Sequence, residues 1–152
     1  MIEFCPLEIK QQVLEYLTQR FGLPASLFDS FEFYAGPTGR VILGPKLIDT
    51  KIEADTAGLL IARIGKSVKP STNLLQLFGG SIGKNVIQLD REKAIKYVRG
   101  LDLHLDGDKI GEATGGYVVL KYDRYSLGCG LLQGNQLKNM LPKAKRLELK
   151  YL

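Results

Sequence analysis

The second half of this chain is cut into short β-rich pieces, and that cutting leaves few folds open. "LDLHL", "GYVVLKY" and "YSLGCGLL" follow one another, separated by Gly/Asp turns. With 17 Gly and no Trp in the whole chain, short strands joined by glycine turns are favoured over a helical bundle. Ahead of these runs the pattern predicts a strand at Val86 to Leu89 and then a short helix. Asp90 is its N-cap, with Lys93 where a capping box would have Glu, Ala94, Ile95 and Val98 are its buried stripe, and Gly100 closes it. Arg91, Lys93, Lys96 and Arg99 are left on its solvent side. At the end, "RLELKYL" alternates Leu147, Leu149 and Tyr151 with the period of a strand. Short strands around one helix, closed by a C-terminal strand, suggest a small β barrel. Gly128 and Gly130, two apart in a strand, share a face and remove side chains from it, so both read as structural glycines that let another segment pass close by.

The first half reads differently. Ile9, Val13, Leu17 and Phe21 recur every four residues, with Pro6 suited to a first turn and Gly22 to a C-terminal cap. A hairpin is predicted in "FEFYAGPTGRVIL", turning at Gly36-Pro37-Thr38-Gly39, then a strand in "GLLIARIGK" that is buried in its middle. "STNLLQLFGG" predicts a short helix capped by Ser71 or Thr72 and stopped by Gly79-Gly80. The expected class is α+β: a small N-terminal α/β domain at 1–83 and a C-terminal barrel-like domain at 84–152, with the boundary between Gly79 and Asn85.

Charge supports that division. Residues 1–83 hold 8 Lys+Arg and 8 Asp+Glu, whereas residues 84–152 hold 13 and 8 and supply the whole net +5. Such asymmetry points to a polyanion-binding half beside a half with another task. Apolar runs such as "LLIA" are far below the ~20 residues that span a bilayer, and "MIEFCPLEIK" carries acids where a signal peptide needs a basic segment. A soluble cytoplasmic protein without a membrane partner is expected. Cys5 and Cys129 are too few for a disulfide framework or a thiolate zinc site and read as small buried side chains.

Little here resembles catalytic machinery. "IGKS" (64–67) imitates the end of a phosphate-binding loop, but Leu60 stands where that loop needs glycine; "IGKN" (82–85) has Phe78 there and Asn85 in place of a hydroxyl. The row Asp102, His104, Asp106 has donors for a divalent metal, yet it reads as the solvated side of a half-buried strand. With one histidine and no cofactor loop, no catalytic residue, metal site or cofactor is expected. The stretch from Lys138 to Arg146 is instead a cationic strip free of acids, with Pro142 barring a continuous helix. Its lysines and arginine suit phosphate contacts, and Asn139 suits a base edge or a 2′-hydroxyl.

"RGLDLHL" followed by "GGYVVLKYDRYSLGCGLLQGNQLKNMLPKAKR" resembles the PUA-type module at the C-terminus of Sun-family RNA 5-methylcytosine methyltransferases. The resemblance covers roughly 84–152 and lies above all in Leu127-Gly128-x-Gly130 and Leu137-Lys138-Asn139-x-x-Pro142-Lys143. More weakly, the first half is similar to the pre-PUA domain of stand-alone ribosome-biogenesis factors. The resemblance implies a pseudo-barrel that recognises structured RNA such as rRNA or tRNA. It does not extend to methyl transfer, because the catalytic domain, its cofactor loop and its paired cysteines have no counterpart in this sequence. The expectation is therefore a non-enzymatic RNA-binding protein in ribosome biogenesis or RNA modification, contacting RNA through Lys84, Arg91, Arg99, Lys138, Asn139, Lys143, Lys145 and Arg146. Its N-terminal half would meet a protein partner or more RNA. The alternative is an interaction subunit that docks a separate RNA-modifying enzyme, such as an RNA methyltransferase, and delivers its substrate.

Overall fold

A computed structural model describes residues 3–46 and 58–147. It is an α+β protein whose contacts separate two compact units between Leu74 and Leu75.

The first unit is a five-stranded antiparallel sheet in sequence order, made of β1 (Glu3–Phe4), β2 (Phe31–Ala35), β3 (Arg40–Pro45), β4 (Leu59–Ile64) and β5 (Val68–Pro70), with helix α1 (Leu7–Phe21) after β1. Helix α1 forms where the spacing-four pattern placed it. Val13, Leu17 and Phe21 are fully buried, while Ile9 at its start is half-buried. Pro6 is its N-cap, and Gly22 ends it in the left-handed conformation (φ 71°), with Gly22 N–H donating to Thr18 O at 3.0 Å and Leu23 N–H to Leu17 O at 3.2 Å. The predicted hairpin joins β2 to β3, and Ile61 and Ala62 in the middle of β4 are fully buried.

Helix α2 (Thr72–Leu77) begins in the first unit and ends in the second, and Ser71 Oγ caps it by accepting from Leu74 N–H at 3.0 Å. The unit boundary thus falls nine residues before the expected Gly83. Residues 75–83 carry no charge, so the break in charge could not locate it. Their own bonds place them in the second unit: Gln76 Nε2 donates to Leu127 O at 2.9 Å and Lys121 Nζ to Gly79 O at 2.6 Å.

The second unit holds β6 (Val86–Gln88), α3 (Arg91–Val98), β7 (Leu103–His104), α4 (Gly107–Ile110), β8 (Gly116–Tyr122), β9 (Tyr125–Gln133) and β10 (Gln136–Asn139). Its sheet runs β6-β8-β9-β10-β7, parallel between β6 and β8 and antiparallel elsewhere, and curls into a half-barrel. Asp90 caps α3 as expected, accepting from Lys93 N–H at 2.8 Å. The buried stripe of α3 differs from the expected one. Ala94 and Tyr97, at spacing three, face the core, while Ile95 and Val98 are only half-buried. Two further elements were not anticipated: the short helix α4, in addition to the single helix expected, and strand β10. Leu103 and Leu105 are buried as alternation requires, but Leu101 is 47% exposed because it precedes β7. Of the expected final strand, Arg146 and Leu147 lie outside any strand, and Leu149 and Tyr151 fall beyond the described residues.

Gly130 lies where β9 crosses the core. A Cβ there would stand 2.6 Å from Leu137 Cδ1 and 2.9 Å from Leu120 Cδ2, so only glycine lets these two leucines close over the strand. Gly128 (φ 157°) borders a β-bulge, for Leu120 pairs with Gly128 but Lys121 with Ser126, leaving Leu127 unpaired in the ladder.

Candidate nucleic-acid interface

The basic strip begins on β10 and leaves it at Asn139. Lys138 is exposed, while Asn139 is only 8% exposed. The Asn139 amide points inward: its Nδ2 donates to Tyr97 O at 2.7 Å and Leu101 O at 2.9 Å, and its Oδ1 accepts from Leu141 N–H at 2.8 Å. Its backbone N–H donates to Asp102 Oδ1 at 2.7 Å. The amide expected at a base edge is thus engaged inside the domain. Both amide hydrogens are already given to backbone carbonyls, that of Tyr97, which also accepts from Gly100 N–H at 2.9 Å, and that of Leu101. Beside it the Tyr97 hydroxyl donates to Cys129 O at 2.6 Å, and burial, with the nearby Cys129, pushes its pKa far above the usual tyrosine range against a smaller opposing effect of Arg146.

Beyond Pro142 the chain makes one 3-10 turn, Lys143–Lys145, consistent with the proline barring an ordinary helix. Lys143 and Lys145 are exposed, and Lys145 Nζ donates to Gln76 Oε1 at 3.2 Å. Arg146 is half-buried, its Nε donating to Leu141 O at 3.1 Å and its side chain lying where a Cβ on Gly100 would be. It is therefore engaged in holding the strip as well as charging it. Leu147 N–H donates to Val98 O at 2.8 Å, which brings this segment alongside the exposed Arg99 at the end of α3. The structure thus gathers Arg99, Lys143, Lys145 and Arg146, with Lys138 on the adjoining strand.

Lys84 and Arg91 lie apart from that group. Lys84 precedes β6 and lines a cavity of about 500 Å³ with Asn85, Glu112 and Thr114, at the end of the sheet opposite Lys145. Arg91 opens α3, roughly 12 Å along the helix from Arg99. Among the described residues one ion pair forms, Lys96 to Glu92 at 3.3 Å, so none of the outward cations named above has a described carboxylate within 4.0 Å.

The Asp102, His104, Asp106 row is used structurally in part: Asp102 holds Asn139, and His104 Nδ1 pairs with Gln136 Nε2 at 2.9 Å. Among the described residues no group of three His, Cys, Asp or Glu side chains is placed to hold a metal ion, and no helix is long and apolar enough to cross a membrane. Cys129 is buried; Cys5 is half-buried, and burial pushes its thiol pKa up.

Comparison with known proteins bears on this geometry directly. Residues 84–147 match the family described as the methyltransferase RsmF PUA domain. The chain carries a PUA-like domain. That domain contains β6 to β10 and the whole basic strip. Over 148 residues the chain is also 27% identical to the ribosomal RNA small subunit methyltransferase F of Aeromonas salmonicida, a match that takes in 92% of this chain but 29% of the enzyme. Similarity therefore extends into the first unit, while this chain spans less than a third of that relative's length. In fold, the chain resembles the structure of a conserved PUA domain protein from Thermoplasma acidophilum, with a TM-score of 0.61 at 13% identity over 95% of this chain and 97% of the other.

Within the PUA-like domain, one exposed feature is absent from the residues expected from sequence. At the β8–β9 turn the Arg124 guanidinium lies 5.4 Å from the centre of the Tyr125 ring, and Tyr125 is 55% exposed. Gln88 Nε2 fixes that turn by donating to Asp123 O at 2.8 Å. An aromatic ring and a cation at a turn within "DRY" are the available signal, which by pattern alone reads only as a break between strands.

Proposed function

We propose that this chain is a non-enzymatic, cytoplasmic RNA-binding protein that holds structured RNA, rRNA or tRNA, on the cationic edge of its PUA-like domain, in ribosome biogenesis or RNA modification. One observation carries the reading: the family match falls on the half of the chain that holds the whole net charge, and there Arg99, Lys138, Lys143 and Lys145 are exposed without a described carboxylate partner. Cations in that condition neutralise backbone phosphates, which fixes position on RNA without reading sequence.

The test is a salt titration of binding to one folded rRNA hairpin. Replacing Lys138, Lys143 and Lys145 together by Gln should lower the slope of log K against log salt by ~0.7–0.9 for each phosphate no longer neutralised. The same change at Lys10, whose ammonium lies 5.2 Å from the centre of the Phe33 ring in the first unit, should leave the slope alone. Equal slopes in the two variants would return the strip to a merely solvated surface.

A second reading has its own observation. The similarity to a ribosomal RNA methyltransferase takes in most of this chain, the first unit included, and so ties both units to RNA modification. On this reading the first unit docks a separate RNA-modifying enzyme and the second delivers its substrate. Co-purification of a catalytic partner that disappears when the first unit is deleted would favour it.

A further inference from the structure

The "IGKS" motif is the β4–β5 turn, closed by Gly65 N–H donating to Ser67 O at 3.1 Å. The hairpin it makes sets Arg63 directly opposite Lys69, and on the other side of β4 Arg63 pairs with Arg40 of β3. Directly opposed residues share a face of the sheet, with strands about 4.8 Å apart. Three cations therefore stand in one row across three strands, roughly 10 Å from end to end. With Lys66 in the turn, four of the eight basic residues in a charge-balanced unit meet at one corner.

Such a row costs stability, since like charges directly opposite one another repel. No described carboxylate lies within 4.0 Å of any of the three to relieve it. Arg40 Nε is in addition buried without a hydrogen-bond partner among the described residues, an N–H lacking an acceptor beside the two other cations. A row of unneutralised donors at strand spacing suits an extended polyanion better than a single small anion. It also suits a nucleic acid better than a lipid surface, because none of the exposed large apolar side chains that would enter a bilayer lies on β3, β4 or β5.

We propose that Arg40, Arg63 and Lys69 form a second phosphate-binding strip for the RNA backbone, on the unit whose net charge gives no sign of one. The proposal rests on the RNA-binding reading above but concerns a different surface. The test uses the full chain and a folded RNA hairpin with a single-stranded tail. Arg63→Gln/Lys69→Gln keeps the side-chain stems and should lower the slope of log K against log salt by about 1.4 to 1.8. Its melting temperature should stay level or rise, because a repulsion is removed. Arg63→Lys, which keeps the charge, should keep the slope.

An unchanged slope in Arg63→Gln/Lys69→Gln, while Lys143→Gln/Lys145→Gln lowers it, would overturn this strip and leave the RNA reading standing. Absence of wild-type binding to the hairpin would overturn both. Binding to phosphatidylserine vesicles that is abolished in Arg63→Gln/Lys69→Gln, with the RNA slope intact, would assign the row to a membrane surface instead and overturn the proposal.

Discussion

The two units solve the problem of buried backbone in different ways. In the first, strands pair in the order in which they occur, and among its described residues Thr72, at its boundary, is the one buried polar residue. In the second, β7 crosses to the far edge of the sheet to pair with β10, so the end of α3, the approach to β7 and the exit from β10 converge away from any regular ladder. Carbonyl and N–H groups meeting there need partners, and the Asn139 amide supplies them for Tyr97, Leu101 and Leu141. A meander has no such junction. A polar residue in a basic stretch can thus belong to the interior because of topology rather than because of a ligand.

The largest effect should follow from removing that junction. Asn139→Ala strips hydrogen bonds from two carbonyls and one N–H and should cost about 3–5 kcal/mol in urea unfolding. Where the variant is still folded, its preference among RNAs should match wild type. A stability loss under ~1 kcal/mol together with an altered RNA preference would break the contrast and make Asn139 a reader of RNA.

Next in size is Gly130→Val, where the new side chain meets Leu137 and Leu120; a loss of ~1–3 kcal/mol is expected. Gly65, in the turn of the first unit, has nothing within 4 Å of an added Cβ. Gly65→Ala should therefore stay within about 0.5 kcal/mol of wild type, and equal losses at the two positions would remove the distinction between a crossing glycine and a turn glycine.

The smallest loss expected of a buried group is Tyr97→Phe, which deletes the bond to Cys129 O and should cost about 1–2 kcal/mol at neutral pH. Its sharper signature is in alkali. The folded pKa of Tyr97 is raised above the unfolded value of ~10, so this contribution is complete below pH ~10 and is lost as pH rises above it. Wild type should accordingly lose stability faster than Tyr97→Phe in urea unfolding measured from pH 9 to 11.

Elements with local signals were legible in the sequence: the spacing of Val13, Leu17 and Phe21, the cap at Gly22, the hairpin turn after Ala35 and the Asp90 cap each need only a few neighbouring residues. What escaped depends on pairing between distant segments. Strand β10 is four residues with alternating burial and no turn of its own before Pro142, and only its partners β9 and β7 make it a strand. Tyr97 joins the buried stripe of α3 only because the sheet lies beneath that face, which the helix's own spacing does not reveal. The row of Arg40, Arg63 and Lys69 exists only once register is known, since the three are scattered over thirty positions of a neutral sequence. The resemblance in the last third of the chain located the basic strip, but it could not tell the outward Lys138 from the inward Asn139 next to it.

The crossing of β7 to β10 also has a consequence in time. Leu103 pairs with Leu137, and His104 with Gln136, so β7 is made long before its partner exists. At synthesis rates of about 5–20 residues per second, that wait lasts a few seconds, during which Leu103 and Leu105 have no sheet edge to cover them. The meander of the first unit imposes no such delay, because each strand after the first follows the one it pairs with. A nascent chain that has emerged through Leu105 but not yet through Gln136 would therefore carry a completed first sheet and an uncovered pair of leucines, a target for chaperones that the finished protein does not present.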